Sequence, residues 1–166
     1  MKQIVLLSDT HHSLDERFIH HFKNADEIWH AGDIGSLEIT DQLKKYAPIK
    51  AVYGNIDSST IRSEFNATLY FQCEEVKVMM THIGGYPGRY DKKILPMIQQ
   101  ANPDLFICGH SHILKVIYDK KNKLLHMNPG AIGDSGIHKV KTILCFSIEG
   151  QEIKNLKVIE FPKRKY

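Results

Sequence analysis

The chain has 166 residues, 42% of them hydrophobic and 25% charged, which fits one domain over residues 1–166 and excludes a disordered chain. Its net charge of +3 is spread along the sequence and gives no footprint for nucleic acid, and the one dense basic cluster, Lys163-Arg164-Lys165, reads as a solvated tail. Cys73, Cys108 and Cys145 form no CxxC pair, against a disulfide framework or thiolate zinc knuckle, and Ile4–Leu7 is too short for a signal core or membrane span, so the expected home is the cytoplasm.

Ile4-Val5-Leu6-Leu7 reads as a buried strand that stops at the polar Ser8-Asp9. Phe18, Ile19 and Phe22 give Asp15–Lys23 a helical spacing, and Glu27–Ala31 is a second strand ending at Gly32-Asp33. Ser36 is placed to cap a helix through Tyr46, with Leu37, Ile39 and Leu43 inward and Pro48 beyond its end. Ile49–Tyr53 is a third strand, closed by Gly54-Asn55. Leu69–Cys73 and Val76–Thr81 then form a hairpin around Glu74-Glu75. A Gly-rich stretch precedes a helix over Asp91–Gln100, where Pro96 implies a kink or a late start. Leu105–Cys108 is a strand stopping at Gly109, and two hairpins follow, turning near Lys121-Asn122 and at Gly150. Alternating strands and helices followed by hairpins imply a mixed sheet, or two packed sheets, with helices outside.

The chemistry collects past the strand ends: Asp9-Thr10-His11, Gly32-Asp33, Gly54-Asn55, His82, and Gly109-His110-Ser111-His112. In α/β sheets that edge is where sites form. Residues i and i+2 of an extended segment point the same way, so Asp9 with His11, and His110 with His112, suit a metal pair. The glycines before Asp33, Asn55 and His110 let the backbone turn and keep bulk away. Carboxylate and imidazole without thiolate suit Mn, Fe, Zn or Ni, and a carboxylate such as Asp33 can bridge ions roughly 3.5–4 Å apart. Singly, each motif also fits a turn or a cap; their order and shared position give them weight.

In that order, extended by Thr81-His82, Ile56-Asp57 and the turn Asn128-Pro129-Gly130, the residues resemble the calcineurin-like binuclear metallophosphoesterases, especially their small bacterial and archaeal phosphodiesterase branch. The resemblance implies a four-layer α/β/β/α sandwich of two mixed sheets flanked by helices. It implies that Asp9, His11, Asp33 and His112 hold one divalent cation and Asp33, Asn55, His82 and His110 the other. Manganese is the first choice, with Fe, Ni, Zn or Co as alternatives. It further implies hydrolysis of a small phosphate ester, expected to be a diester, by a bridging hydroxide, with Asn55, His82 and Asp33 serving catalysis.

Two departures stand out. Many relatives carry a histidine after the asparagine of G-N-x-D, where this chain has Ile56, which donates no proton. Either leaving groups that depart as anions are preferred or another acid is borrowed; His12 is the first candidate for that acid, against a place behind the ligands or at the surface. After His82, the run Ile83-Gly84-Gly85-Tyr86-Pro87-Gly88-Arg89-Tyr90 fits either a wide turn or a substrate rim, with Arg89 clamping phosphate and Tyr86 or Tyr90 stacking on a base. His20, His21, His126 and His138 are expected to be structural or exposed, and His30, just before Ala31-Gly32-Asp33, to be either structural or a partner behind the ligands; Trp29, Phe71, Phe106 and Phe146 are expected in the core, and Cys108 as a small buried hydrophobe. The competing reading is a non-catalytic scaffold of the same fold, disfavoured because every ligand position carries a competent donor. Homo-oligomerisation is left open.

Overall fold

The alternation inside the aliphatic runs sorts their side chains between two interiors. In β1 (Lys2–Leu7), Ile4 and Leu6 face one apolar cluster and Val5 and Leu7 another, as a strand buried on both faces requires. The computed structural model describes residues 1–164, so Lys165 of the basic cluster lies outside the described residues.

Two five-stranded mixed sheets result. In the first, β1 pairs in parallel with β2 (Glu27–His30) and β2 with β3 (Ile49–Ala51), while β11 (Val140–Glu149) and β12 (Glu152–Pro162) close the other side antiparallel. In the second, β5 (Val76–Thr81), β8 (Leu105–Ile107) and β10 (Leu124–Pro129) run parallel, with β4 (Thr68–Cys73) and β9 (Leu114–Asp119) as antiparallel edges. Ile4, Leu6, Trp29, Met80, Ile107, Met127, Leu144 and Phe146 interdigitate between the sheets. The outer face of the first sheet is covered by a 3-10 turn (Glu16–Phe18) leading into α1 (Ile19–Phe22) and by α2 (Leu37–Lys44) and α3 (Ser59–Glu64), through Phe18, Phe22, Ile39, Leu43 and Ile61. The outer face of the second is covered by α4 (Ile94–Ala101), through Ile98. These are the four layers expected from the sequence.

Local details differ from the sequence expectations. Ser36 holds the N-cap position of α2 in an extended conformation, yet its side chain makes no capping hydrogen bond. The late start implied by Pro96 is found, with Pro96 in the first turn of α4 and Asn102 ending the helix at φ 47°. α3, unforeseen, is a polar six-residue helix with Ile61 as its single buried residue, too little periodicity to see. The Gly-rich stretch contains a miniature hairpin of β6 (Gly85–Tyr86) and β7 (Arg89–Tyr90). The cysteines are all unpaired, and among the described residues no helix is long and apolar enough to cross a membrane.

Candidate metal centre

The parallel strands of both sheets deliver their C-terminal ends to one edge, and the loops there fold over one another. Asp9 N donates to Gly32 O, His11 N to Asp33 O and Gly109 N to His82 O, at 2.9, 3.0 and 2.9 Å. These bonds stitch the ends of β1, β2, β5 and β8 together. Asp57 does the same for the third strand: its buried carboxylate accepts from the backbone of Ile34, Gly35 and Gly54 at 3.1, 2.8 and 2.8 Å. The last residue of G-N-x-D is therefore a clamp between loops. Gly32 adopts φ 101°, where only glycine is at ease. Gly54 is needed for close approach instead, since a Cβ there would stand 2.0 Å from Asp33 Oδ1.

Each carboxylate spends one oxygen on the fold and turns the other inward. Asp9 Oδ2 accepts from Ser8 Oγ at 2.7 Å and from His110 N at 3.2 Å. Asp9 Oδ1 faces His112 Nε2 at 3.2 Å, His11 Nε2 at 3.6 Å and His82 Nε2 at 3.8 Å. Asp33 Oδ1 accepts from Ile56 N at 3.1 Å, while Oδ2 lies 3.3 Å from His11 Nε2 and 3.1 Å from His82 Nε2. The donors fall into two groups able to hold a cation, Asp9 with His11 and His112, and Asp33 with His82 and His110. Asp33 Oδ2 lies within 3.3 Å of a histidine of each group, His11 and His82. Asn55 Oδ1 lies beside the second group, 3.0 Å from His110 Nδ1.

Among the inward atoms, Asp9 Oδ1, His11 Nε2 and His82 Nε2 are buried without a hydrogen-bond partner. Buried polar atoms without partners are rare and costly, and here several point at one spot. The far sides of the histidines are fixed. His82 Nδ1 donates to Ala31 O at 2.7 Å, which reserves Nε2 for the centre. His138 Nε2 donates to Gly133 O at 2.9 Å and its Nδ1 faces His112 Nδ1 at 3.3 Å, so His112 donates from Nδ1 and turns the Nε2 lone pair inward. Nitrogen and oxygen lone pairs aimed at each other, without thiolate, are a donor set for divalent cations, and the residues fit such ions.

Electrostatics agree. Burial alone would raise Asp9, but His11 and His112 hold it far below the usual carboxylate range. Asp33 is likewise held far down by His11 and His82 against its burial. Asp33, then Asp9, raise His11 to about 9. For His82, burial opposes protonation and Asp33 outweighs it, so its pKa rises. Protons on these imidazoles offset the carboxylates where a cation would otherwise do so.

His30, for which the sequence leaves a structural role or a place behind the ligands, braces the centre. It is fully buried, accepts from Gly32 N at 3.1 Å, and meets Thr10 Oγ1 at 3.0 Å while that hydroxyl donates to Ile34 O at 2.7 Å. Burial pushes its pKa down to about 4, so it is a neutral strut between the Asp9 and Asp33 loops. Asn128 plays the same part for the His110 loop, donating to Gly109 O and Ser111 Oγ at 3.0 and 3.1 Å. Lys141, buried between Asp15 and Asp134 at 3.1 and 2.7 Å, and Ser13 on Asp134 at 2.6 Å, tie the His11 and His138 loops. His12, by contrast, is exposed at φ 68° and stands outside both donor groups. Cys108 is buried with its thiol raised to about 12 by burial and joins neither group. Tyr90 is not free to stack, because its hydroxyl donates to Asp119 at 2.7 Å and its ring packs on Phe106.

Residues 1–151 are matched by the family model described as the calcineurin-like phosphoesterase superfamily domain. A probable metallophosphoesterase of Methanocaldococcus jannaschii is 30% identical over 135 residues, 77% of this chain and 67% of that one. One of Methanothermobacter thermautotrophicus is 28% identical over 137 residues, 77% and 76% of the two chains. Among solved structures, wild-type Vps29 of Entamoeba histolytica, complexed with zinc, superposes with a TM-score of 0.76 at 18% identity, covering 98% of this chain and 99% of that one.

Proposed function

This chain belongs to the calcineurin-like phosphoesterase superfamily, and on that footing we propose that it is a metal-dependent phosphoesterase acting in the cytoplasm on small phosphate esters, diesters above all. One observation carries the reading: Asp9 Oδ1, His11 Nε2 and His82 Nε2 are buried, unsatisfied and convergent. Asp9, His11, Asp33 and His112 would hold one divalent cation and Asp33, Asn55, His82 and His110 the second, with manganese the preferred metal. When bound, the pair supplies Lewis acidity and lowers the pKa of water toward neutrality, giving a nucleophile for in-line attack on phosphorus. The chain does the rest. Asp33 sets the spacing of the two groups, His82 is held rigid by Ala31, and the Asn55 amide steadies a phosphoryl oxygen as charge moves to the leaving group. With Ile56 where an acid is usual, exposed His12 is the group that protonates the leaving oxygen.

The test is hydrolysis of bis-p-nitrophenyl phosphate and p-nitrophenyl phosphate by chelator-treated protein given back Mn, Ni, Fe, Co or Zn. Turnover that depends on added metal and is faster with the diester is expected; inactivity with all of them rejects the reading. For His12, the His12→Ala variant slows an alkyl ester more than a nitrophenyl ester, whose leaving group departs as an anion. Equal effects clear His12 of the role.

A second reading, a scaffold that docks another protein, draws on the fold likeness to Vps29 and on Ile56, Ile83 and Ile113, 43%, 40% and 62% exposed around the rim. The full set of donors weighs against it, since a scaffold has no use for two buried carboxylates and several imidazoles crowded on one point.

A further inference from the structure

The carboxylates of the centre and its one amide are secured in different ways. Asp9 and Asp33 each tie one oxygen to the fold, accepting from Ser8 Oγ and from Ile56 N, and the tie aims the other oxygen. Asn55 has no such tie. It is exposed, and among the described residues its side chain meets only His110. An amide held by so little is aimed only as well as its backbone is held.

That backbone is held by Arg62. The turn around Asn55 closes through Asp57 N on Gly54 O at 3.2 Å, and two of its carbonyls accept from one side chain. Arg62 Nε donates to Asp57 O at 2.8 Å and Nη2 to Asn55 O at 3.2 Å. The guanidinium carbon also lies 4.8 Å from the centroid of the Tyr53 ring, just past β3. The planar fork is therefore fixed by its face as well as by its edge. Arg62 shares a depression of about 270 Å³ with Asn55 and His82.

The segment that carries Arg62 gives the core little. α3 buries only Ile61, and the chain then returns so that Tyr53 N donates to Asn66 O at 3.1 Å. As a bracket the segment makes sense: Ile61 seats the helix on the outer face of the first sheet, and the next residue reaches back to the turn that carries Asn55. Nothing in the sequence separates Arg62 from a solvated surface charge, because α3 itself has too little periodicity to see.

We propose that Arg62 is a positioning residue for the second cation, holding the backbone of Asn55 so that the amide oxygen stands with Asp33, His82 and His110. The proposal rests on the reading of Asn55 as a ligand of that ion. Arg62 acts through the two carbonyls and not through its charge, which works against the role, since like charges repel. The rigid fork, with two donors for carbonyls two residues apart, is what a lysine lacks.

The experiment is manganese titration of the chelator-treated full chain by calorimetry, with paramagnetic resonance of the bound ions. It compares the unaltered protein with Arg62→Met, Arg62→Lys and Asn55→Ala, and no readout needs a substrate. Two manganese ions roughly 3.5–4 Å apart couple magnetically, whereas a lone ion gives its own uncoupled signal. Both Arg62 variants weaken one of the two ions about 10–100-fold and leave the other within about twofold, so the coupled signal gives way to the uncoupled one. Asn55→Ala has the same effect by removing the ligand. The melting midpoint of the metal-free chain barely moves in the Arg62 variants, because the side chain is exposed. If charge alone matters, Arg62→Lys binds like the unaltered chain and Arg62→Met binds the ion more tightly; either result overturns the proposal. A lower melting midpoint with both affinities unchanged overturns it as well. If Asn55→Ala loses the ion and the Arg62 variants keep it, the positioning role fails and the two-cation reading stands. If none of the three changes ion binding, Asn55 is no ligand and the proposal falls with the reading beneath it.

Discussion

The rim of the sandwich and its interior are built by opposite rules. Between the sheets, Ile4, Leu6, Trp29 and Leu144 are at most 1% exposed, and the polar atom among them is engaged, with Trp29 Nε1 donating to Glu27 at 2.8 Å. At the rim, Asp9, His11, Asp33, His110 and His112 all sit at positive φ, 57°, 43°, 54°, 71° and 60°, a conformation that costs of order 1–3 kcal/mol at each non-glycine residue. Asp9 Oδ1 and His11 Nε2, with His82 Nε2 beside them, are unsatisfied as well. Five of the positive-φ residues and three of the unsatisfied atoms belong to the proposed ligands, which are held by the satisfied framework behind them, through Asp57, His30 and Asn128. The interior makes the chain fold, and the rim uses part of that stability to hold donors where only a cation suits them all.

The sharpest way to break this comparison is Asp33→Asn. Turnover with manganese should fall by about a thousandfold or more, since the charge that both donor groups share is lost, while the metal-free protein loses only about 1–2 kcal/mol in denaturant unfolding. The amide can still accept from Ile56 N, but the ion pairs with His11 and His82 go with the charge. A large drop in metal-free stability would show that the rim is as structural as the interior. Leu6→Ala is the converse. It should cost about 3–4 kcal/mol in denaturant unfolding and leave turnover per folded, metal-loaded molecule unchanged. His138→Phe tests the brace behind His112: manganese affinity measured by calorimetry drops about 10–100-fold, with little change in the unfolding midpoint of the metal-free chain.

The smallest expected effect sits at the far end of β2. Burial would raise Glu27, but Lys2, then Lys50 and Trp29, hold it down at about 2, with the lysine contacts at 2.7 and 2.8 Å. A carboxylate depressed in the folded state contributes stability above its unfolded pKa of about 4.3 and loses it as pH falls from there through its folded value. Glu27→Gln should therefore cost about 1–2 kcal/mol at pH 7, measured by urea unfolding, and the gap to the unaltered protein should close as pH falls from about 4.5 toward 2. A gap that persists at low pH would mean that packing, not charge, is what Glu27 supplies.

The chain shows part of this to a reader of sequence alone. Polar residues directly after aliphatic runs mark where the strands end, so Asp9, His11, Asp33, Asn55, His82, His110 and His112 stand out, and the change from alternating elements to hairpins marks the second sheet. What is hidden depends on contacts across the chain. His30 and His126 are each one histidine in an apolar strand; only the fold shows that one meets Thr10 and Gly32 while the other is packed against Phe106 and Tyr90. His138 matters because the loop before β11 returns it to His112, 26 residues away. Ser36 misleads for a local reason: the residue type is right for a cap, but its side chain does not bond the backbone of α2.

The central claim is that donors remote in sequence form one cage for two cations. Equilibrium dialysis of the chelator-treated protein against manganese, with elemental analysis and a thermal melt on the same samples, tests it without any assumption about substrate. The account predicts about two ions per chain and a higher melting midpoint when they bind, with stoichiometry reduced in both His82→Ala and His112→Ala. A protein that takes up no ion, or takes up the same number when those two histidines are gone, contradicts it.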